Sequence, residues 1–312
     1  MFGVSIKESK TQRFSCCLGE SSYSLAAVSN GKLLFCERQD FLNKPFDAMA
    51  SSFASDIERL GFIGEDCHVV LSPGQYELLQ LDALAVPESE MAKAFRWKLK
   101  GLIELPLNDI AVDTFSIPPH GVVGQRKKVF VAVTLLSELK NKLNMFESAY
   151  LHVPSVTIAQ MALRNLLPLM PLKQSSPVIV ISLEENICNL YIFLQNQLYL
   201  ERQLALTKAI VNENGPKAQN ILLEIQRSID YCLSELKLPE PDQIIFTPGF
   251  FQASALLDFL KQELPKEIFL MDLRQYLQMD FPMGFEEQTS CLYSIGGALQ
   301  FSPSVQEITE TA

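Results

Sequence analysis

PVIVISLEENICNLYIFLQNQLYLER, residues 177 to 202, holds three apolar runs, Val178 to Leu183, Ile187 to Leu194 and Leu198 to Arg202, with short polar stretches between them. Each run is too short for a helix and rich in β-branched and aromatic residues, so each reads as a strand. Working outward, Cys67 to Leu71, Val129 to Val133 and Ile244 to Thr247 have the same character, and helical patterns lie between them. Strands alternating with helices give an α/β class.

Two helical patterns stand out. From Glu88 to Leu105, Met91, Phe95, Leu99, Leu102 and Ile103 fall on one stripe. Acids in its first turn, bases toward its end and Pro106 beyond it agree with the helix dipole and with a proline stop. After Gly215-Pro216 a longer helix buries Ile221, Leu222, Ile225, Ile229, Cys232, Leu233 and Leu236 before Pro239. The hydrophobic stretch Ala149 to Leu172 carries His152, Gln160, Arg164, Asn165 and prolines, which cost too much in a bilayer. It reads as a buried amphipathic helix.

Composition bounds the function. With 312 residues, 48% of them hydrophobic, the chain can bury more than one core, and two domains or one with an insert are expected. A net charge of −10 opposes the phosphate backbone, so nucleic acid is not an expected partner. The dense basic run Arg126 to Lys128 reads as a solvated hairpin loop. Seven cysteines, an odd number with no Cys-x-x-Cys, suggest neither a disulfide framework nor a zinc site, and fit a reducing compartment. Met1 to Lys10 has no apolar core of a signal peptide, and the polar end from Phe301 to Ala312 reads as a disordered tail.

Weak internal echoes exist. Val4 to Ser9 resembles Ile181 to Asn186, and Glu37-Arg38-Gln39 resembles Glu201-Arg202-Gln203. Together they hint at a duplicated hairpin unit in two lobes.

The run Leu84 to Pro87, then Ala94 to Trp97, Leu102 to Asp109 and Asp113 resembles the PilM/MshI family of type IV pilus (MSHA-type) biogenesis proteins. Val129 to Val133 with the Ser137 to Glu147 helix, Ile225 to Tyr231, Ile244 to Gly249 and Tyr293 to Leu299 keep the family's order, over roughly residues 2 to 300. With no spanning segment, the chain is more similar to the free-standing type than to the membrane-anchored GspL type. The resemblance implies an actin-like fold of the FtsA/PilM variant: two lobes, each a mixed sheet flanked by helices, about a nucleotide cleft, with a small inserted subdomain in the first lobe. On that reading residues 1–86 and 151–172 form the first lobe, 87–150 the insert and 173–300 the second lobe. The implied partner is the short cytoplasmic tail of a bitopic inner-membrane protein of the PilN kind, and the implied location is the cytoplasmic face of that membrane in a bacterium.

An actin-like ATPase uses an Asp-x-Gly hairpin in each lobe, the acid to hold magnesium and the glycine to let backbone N–H groups approach phosphate. The matching positions are read as Ser5-Ile6-Lys7 and Ser182-Leu183-Glu184, with Thr247-Pro248-Gly249 as the adenosine loop. Lost acids, lost glycines and the charge of Glu184 all argue against hydrolysis, and no cofactor is expected. One alternative is that Lys7 acts as a phosphate-binding cation and nucleotide binds without turnover; another is an active actin-like ATP-binding protein or ATPase whose nucleotide state regulates assembly. If the cleft is degenerate, Lys7 and Glu184 are expected to pair across it.

Other catalytic patterns are weaker. His68, His120 and His152 are isolated, Ser72-Pro73-Gly74 is a turn rather than a nucleophile elbow, and Cys16-Cys17 has no activating base nearby. A partner-peptide groove is placed around Phe95, Trp97, Leu102 and Ile103. Phe95 and Leu102 lie on the buried stripe, so both also read as core, whereas Trp97 lies off it.

Overall fold

The computed structural model describes residues 12–118, 127–184, 187–206 and 216–299. Ser5, Lys7, His120, Arg126 and the tail from Phe301, and with them the expected Lys7–Glu184 pair, lie outside the described residues.

Two five-stranded sheets repeat one plan. The first contains β1 (Gln12–Leu18), β2 (Ser22–Ser29), β3 (Lys32–Asp40), β4 (Cys67–Leu71) and β8 (Val156–Ile158), in the order β3-β2-β1-β4-β8. The second contains β9 (Val178–Leu183), β10 (Cys188–Leu194), β11 (Gln197–Leu204), β12 (Gln243–Phe246) and β13 (Glu267–Leu270), in the order β11-β10-β9-β12-β13. In both, three antiparallel strands continue into two parallel ones. The Glu37–Gln39 and Glu201–Gln203 echo falls in the third strand of each plan, though one residue out of register, since Glu37 faces Leu25 whereas Glu201 faces Tyr191.

Alternation on the first sheet is explicit. Phe14, Cys16 and Leu18 meet Met49, Phe53 and Ile57 of α1 (Phe46–Leu60) and Met145 and Phe146 of α3 (Leu136–Ser148). The opposite face, with Cys17, Ala26 and Val70, belongs to the large core shared with the second lobe. Both faces of β9 and β10 are covered, which is why those strands read as unbroken apolar runs rather than alternating ones. On the second sheet lie α5 (Pro216–Ser234) and α6 (Ser254–Glu263).

A third sheet, β5-β7-β6, is built from β5 (Glu77–Asp82), β6 (Ile110–Ile117) and β7 (Lys128–Leu135). Across it lies α2 (Glu88–Lys98), burying Met91, Phe95 and Leu99 against Ile110, Val129, Val131 and Val133. The expected boundaries shift accordingly. The insert takes in β5, ahead of Pro87, because β5 pairs with β7 and not with the first sheet. Helix α3 leaves the insert for the first lobe's core.

Two helices are shorter than their apolar patterns. The pattern expected to run to Leu105 ends at Lys98, since the chain turns back through Gly101 at φ 80, a left-handed conformation that favours glycine. Ala149 to Leu172 is not one helix: it contains β8, then α4 (Ala159–Leu166) and a short 3-10 turn. Among the described residues no helix is long and apolar enough to cross a membrane.

The last helix, α7 (Phe285–Ala298), was expected with the second lobe but packs on the first sheet and on α4. A Cβ on Gly296 would stand 2.2 Å from the carbonyl oxygen of Ala162, and one on Gly297 would stand 2.1 Å from Ser15 Oγ. Asn165 Nδ2 donates to the Gly296 carbonyl at 3.0 Å, closing the same crossing. A helical glycine ordinarily loses about 1 kcal/mol relative to alanine. Here backbone blocks the added methyl, and overpacking costs of about 1–3 kcal/mol win. Gly296→Ala should therefore lower the urea unfolding free energy by about 2 kcal/mol; an increase would show that the crossing relaxes freely.

Candidate functional site

The strand register identifies the two hairpins that face one another between the lobes. In the first sheet Leu18 pairs with Tyr23 and Gly19 N donates to Ser22 O at 2.8 Å. In the second Leu183 pairs with Cys188 and Glu184 N donates to Ile187 O at 2.9 Å. Gly19 and Glu184 are thus equivalent, and so are Cys17 and Ser182. The first hairpin therefore reads Cys17-Leu18-Gly19, downstream of the expected Ser5-Ile6-Lys7, and it keeps its glycine. The second reads Ser182-Leu183-Glu184, at the positions expected. Neither has a carboxylate where an Asp-x-Gly hairpin carries its acid. The segment Leu18-Gly19-Glu20-Ser21-Ser22, between two apolar strands, was the signal in the sequence for the first hairpin.

A cleft of about 820 Å³ opens between these turns, lined also by Ser72, Gln75, Gly249 and Tyr293. Its charged lining is Glu20, Asp40, Glu184 and Glu286 against Arg38, and Arg38 donates to Asp40 from Nε and a terminal nitrogen at 2.9 and 2.7 Å. Among the described residues the lining thus carries more negative than positive charge.

The floor is closed by polar contacts within the protein. Ser182 Oγ lies 3.1 Å from the Tyr293 hydroxyl of α7. Burial and the neighbouring Glu184 carboxylate push the Tyr293 phenol well up, and the Cys17 thiol is raised by the same two causes, burial first. Cys17 is thus a buried, unreactive thiol at the place of a metal-holding acid. On the far wall Thr247 N donates to Ile181 O at 2.9 Å, and Leu183 N donates to Thr247 Oγ1 at 3.3 Å. Gly249 follows in a 3-10 turn, and a Cβ there would come within 2.2 Å of the Leu183 carbonyl oxygen. Its glycine is required by this approach to β9, independently of any ligand.

The remaining candidates take ordinary places. His68 is half-buried with Nδ1 2.8 Å from Ser155 Oγ, and burial lowers its pKa. His152 is exposed. Ser72 opens a turn closed by Gln75 N to Ser72 O at 3.1 Å. Among the described residues no group of three or more His, Cys, Asp or Glu could hold a metal. Lys128 is not a freely solvated loop residue: its Nζ donates to Tyr231 of α5 at 3.1 Å, tying the insert to the second lobe.

On the insert, the four groove candidates separate. Phe95 is 0% exposed in the core beneath α2, so it cannot touch a partner. Trp97 is 79% exposed and Leu102 is 50% exposed, because the turn at Gly101 lifts Leu102 off the buried stripe. Ile103 is half-buried. Lys93, Lys98 and Lys100 are exposed around Trp97, whereas Arg96 turns inward and donates to the Ile110 carbonyl at 2.7 Å.

No protein-family model and no curated protein matches the sequence. Solved structures do match. A chain of a PilM-PilN type IV pilus biogenesis complex superposes with a TM-score of 0.68 at 16% identity, over 93% of this chain and 98% of that one. The cytoplasmic domain of EpsL, an inner membrane component of the type II secretion system of Vibrio cholerae, gives 0.52 at 10% identity, over 93% and 96%. A Bacteroides thetaiotaomicron protein with an actin-like ATPase fold and unknown function gives 0.54 at 11% identity, over 93% and 99%. The fold is therefore actin-like, with two sheet-containing lobes flanked by helices.

The burial of the α2 side chains sets two substitutions apart. Phe95→Ala should cost about 3–5 kcal/mol of unfolding free energy, while Trp97→Ala should change it by about 0.5 kcal/mol or less. Chemical denaturation of both variants checks this, and equal losses would place Trp97 in the core.

Proposed function

We propose that this chain is a cytoplasmic scaffold of a type IV pilus or related secretion system that binds the cytoplasmic tail of a PilN-like inner-membrane protein and does not hydrolyse ATP. The observation that carries the second half is the cleft: a thiol and a hydroxyl occupy the two positions of the magnesium-holding acids, and Glu184 occupies that of a phosphate-approaching glycine. The two positions from which an Asp-x-Gly hairpin holds its metal shell thus carry no carboxylate. What remains useful is the two-lobed frame and its insert.

Support for the first half comes from the likeness to a chain of a PilM-PilN complex along nearly its whole length, and from the insert's exposed face. Trp97 and Leu102, beside half-buried Ile103, offer an apolar anchor ringed by Lys93, Lys98 and Lys100 in an otherwise acidic protein. An aromatic anchor carries most of the affinity at such sites, and flanking cations steer acidic residues of the partner. The protein would then stand at the inner membrane through its partner.

Gly19 and the open cleft favour a second reading in which nucleotide binds without turnover. Calorimetry with ATP, with and without magnesium, separates the readings: no heat of binding is expected, and no phosphate release above a blank. Magnesium-dependent turnover lost on Ser182→Ala would overturn the scaffold reading.

For the partner face, a synthetic PilN-like tail should bind the purified chain, and Trp97→Ala should weaken it by about 2 kcal/mol with the melting temperature unmoved. Unaltered affinity would remove Trp97 from the site.

A further inference from the structure

Behind the cleft, a chain of side chains joins the lobes. Glu201 of β11 stands directly across from Tyr191 of β10, so both project from the same face of the second sheet. Gln160, buried in the first turn of α4, donates from Nε2 to Glu201 Oε1 at 2.9 Å. Its own Oε1 accepts from the Tyr76 hydroxyl at 2.6 Å, and Tyr76 lies on the turn leading out of the first sheet toward β5. The path Tyr76, Gln160, Glu201 thus runs from the first lobe through α4 to the second.

One end of this path is incomplete. Glu201 Oε2 is shut off from solvent and has no hydrogen-bond partner. The groups around it are Gln160 from α4, Tyr76 from the turn, Tyr191 from β10 with Asn189 donating to its hydroxyl at 3.1 Å, and Glu184 from the end of β9. None of these is a cation. Burial and the Glu201 charge push the phenols of Tyr76 and Tyr191 well up, and Glu184 adds to both. An ionised carboxylate here is uncompensated, and a protonated one is at home.

We propose that Glu201 is a proton-operated latch between the lobes: while Oε2 keeps its proton the carboxyl group sits uncharged out of solvent, with Oε1 accepting from Gln160, and the lobes stay closed; when that proton leaves to solvent, the enclosed charge opposes closure and the lobes loosen. Burial raises the Glu201 pKa from 4.5 to about 7, with the Gln160 bond pulling the other way. The sign follows from linkage. A carboxyl group freed into water ionises above its ordinary value, whereas the latched one keeps its proton to about 7. The latch is therefore fully favourable below pH 4.5, weakens as pH rises from 4.5 to about 7 and changes little above that. Across the window the latched-to-loose ratio falls by up to roughly 10²-fold. The device acts on the frame and requires no particular partner.

The test uses the full chain, with amide protection factors of α4 and β11 corrected for intrinsic exchange at pH 5 and pH 8. Protection in the wild type should fall by up to roughly 10²-fold, while Glu201→Gln, neutral at every pH, should show no such fall. Gln160→Met, which cuts the tie at its middle, should lower protection already at pH 5. Parallel pH dependence in wild type and Glu201→Gln would overturn the latch. Should the variants not fold, a carbon-13 titration of the Glu201 carboxyl group in the wild type decides: a midpoint near neutrality supports it, and an ordinary carboxylate midpoint sinks it.

Discussion

The close approach of α7 to α4 and β1 is the constraint on which the arrangement of the lobes depends. Gly296 and Gly297 bring a helix backbone against the Ala162 carbonyl and the Ser15 side chain, distances that any Cβ would forbid. With α7 held there, Tyr293 reaches Ser182 on the other lobe, Ser294 meets Ser24 of β2, and the cleft between the hairpins gains its floor. Moving the helix out by the width of a methyl group would separate contacts on three strands and one helix at once, which is why two glycines persist in a helix where propensity disfavours them.

That frame sets two hairpins face to face across a cleft. The hairpins still oppose each other in register, and one glycine still stands at the first turn. In place of metal-holding acids are a buried thiol and a hydroxyl already engaged with tyrosine. Among the described residues that line the cleft, carboxylates outnumber guanidinium groups, and Arg38 is tied to Asp40. Polar groups of the two lobes hydrogen-bond across the seam, Ser182 with Tyr293 and Gln160 with Glu201. The lobes meet through phenols, amides and carboxyl groups of the chain itself.

The insert complements this division. Its own small core beneath α2 lets it present Trp97 outward without loss of packing, and Lys128 ties it to Tyr231 of the second lobe. A rigid platform presenting one exposed aromatic is suited to recognition, since little ordering remains to oppose binding.

Strand-by-strand, much was legible in the sequence. The runs Val178 to Leu183 and Ile187 to Leu194 are strands because residues buried on both faces must all be apolar, and the α2 stripe Met91, Phe95, Leu99 is buried because 3.6-residue spacing puts it on one side. The α/β class followed from such local patterns, and Glu184's place on the second hairpin from the family resemblance. Other features were decided only by tertiary structure. The first hairpin lies at Gly19 because strand pairing, which joins residues far apart in sequence, selects Gln12–Leu18 as the partner of both β2 and β4. Leu102 is exposed because a single left-handed glycine redirects the chain. Helix α7 packs on the first sheet and on α4 because Gly296 admits the Ala162 carbonyl and Gly297 the Ser15 side chain. Glu201 is a polar strand residue by sequence and a half-buried acid with one oxygen shut off from solvent by structure, since its environment comes from α4 and from a tyrosine in the other lobe. Periodicity is a property of neighbours along the chain and can be read there, whereas register, crossing and burial arise between segments that meet only when the chain folds.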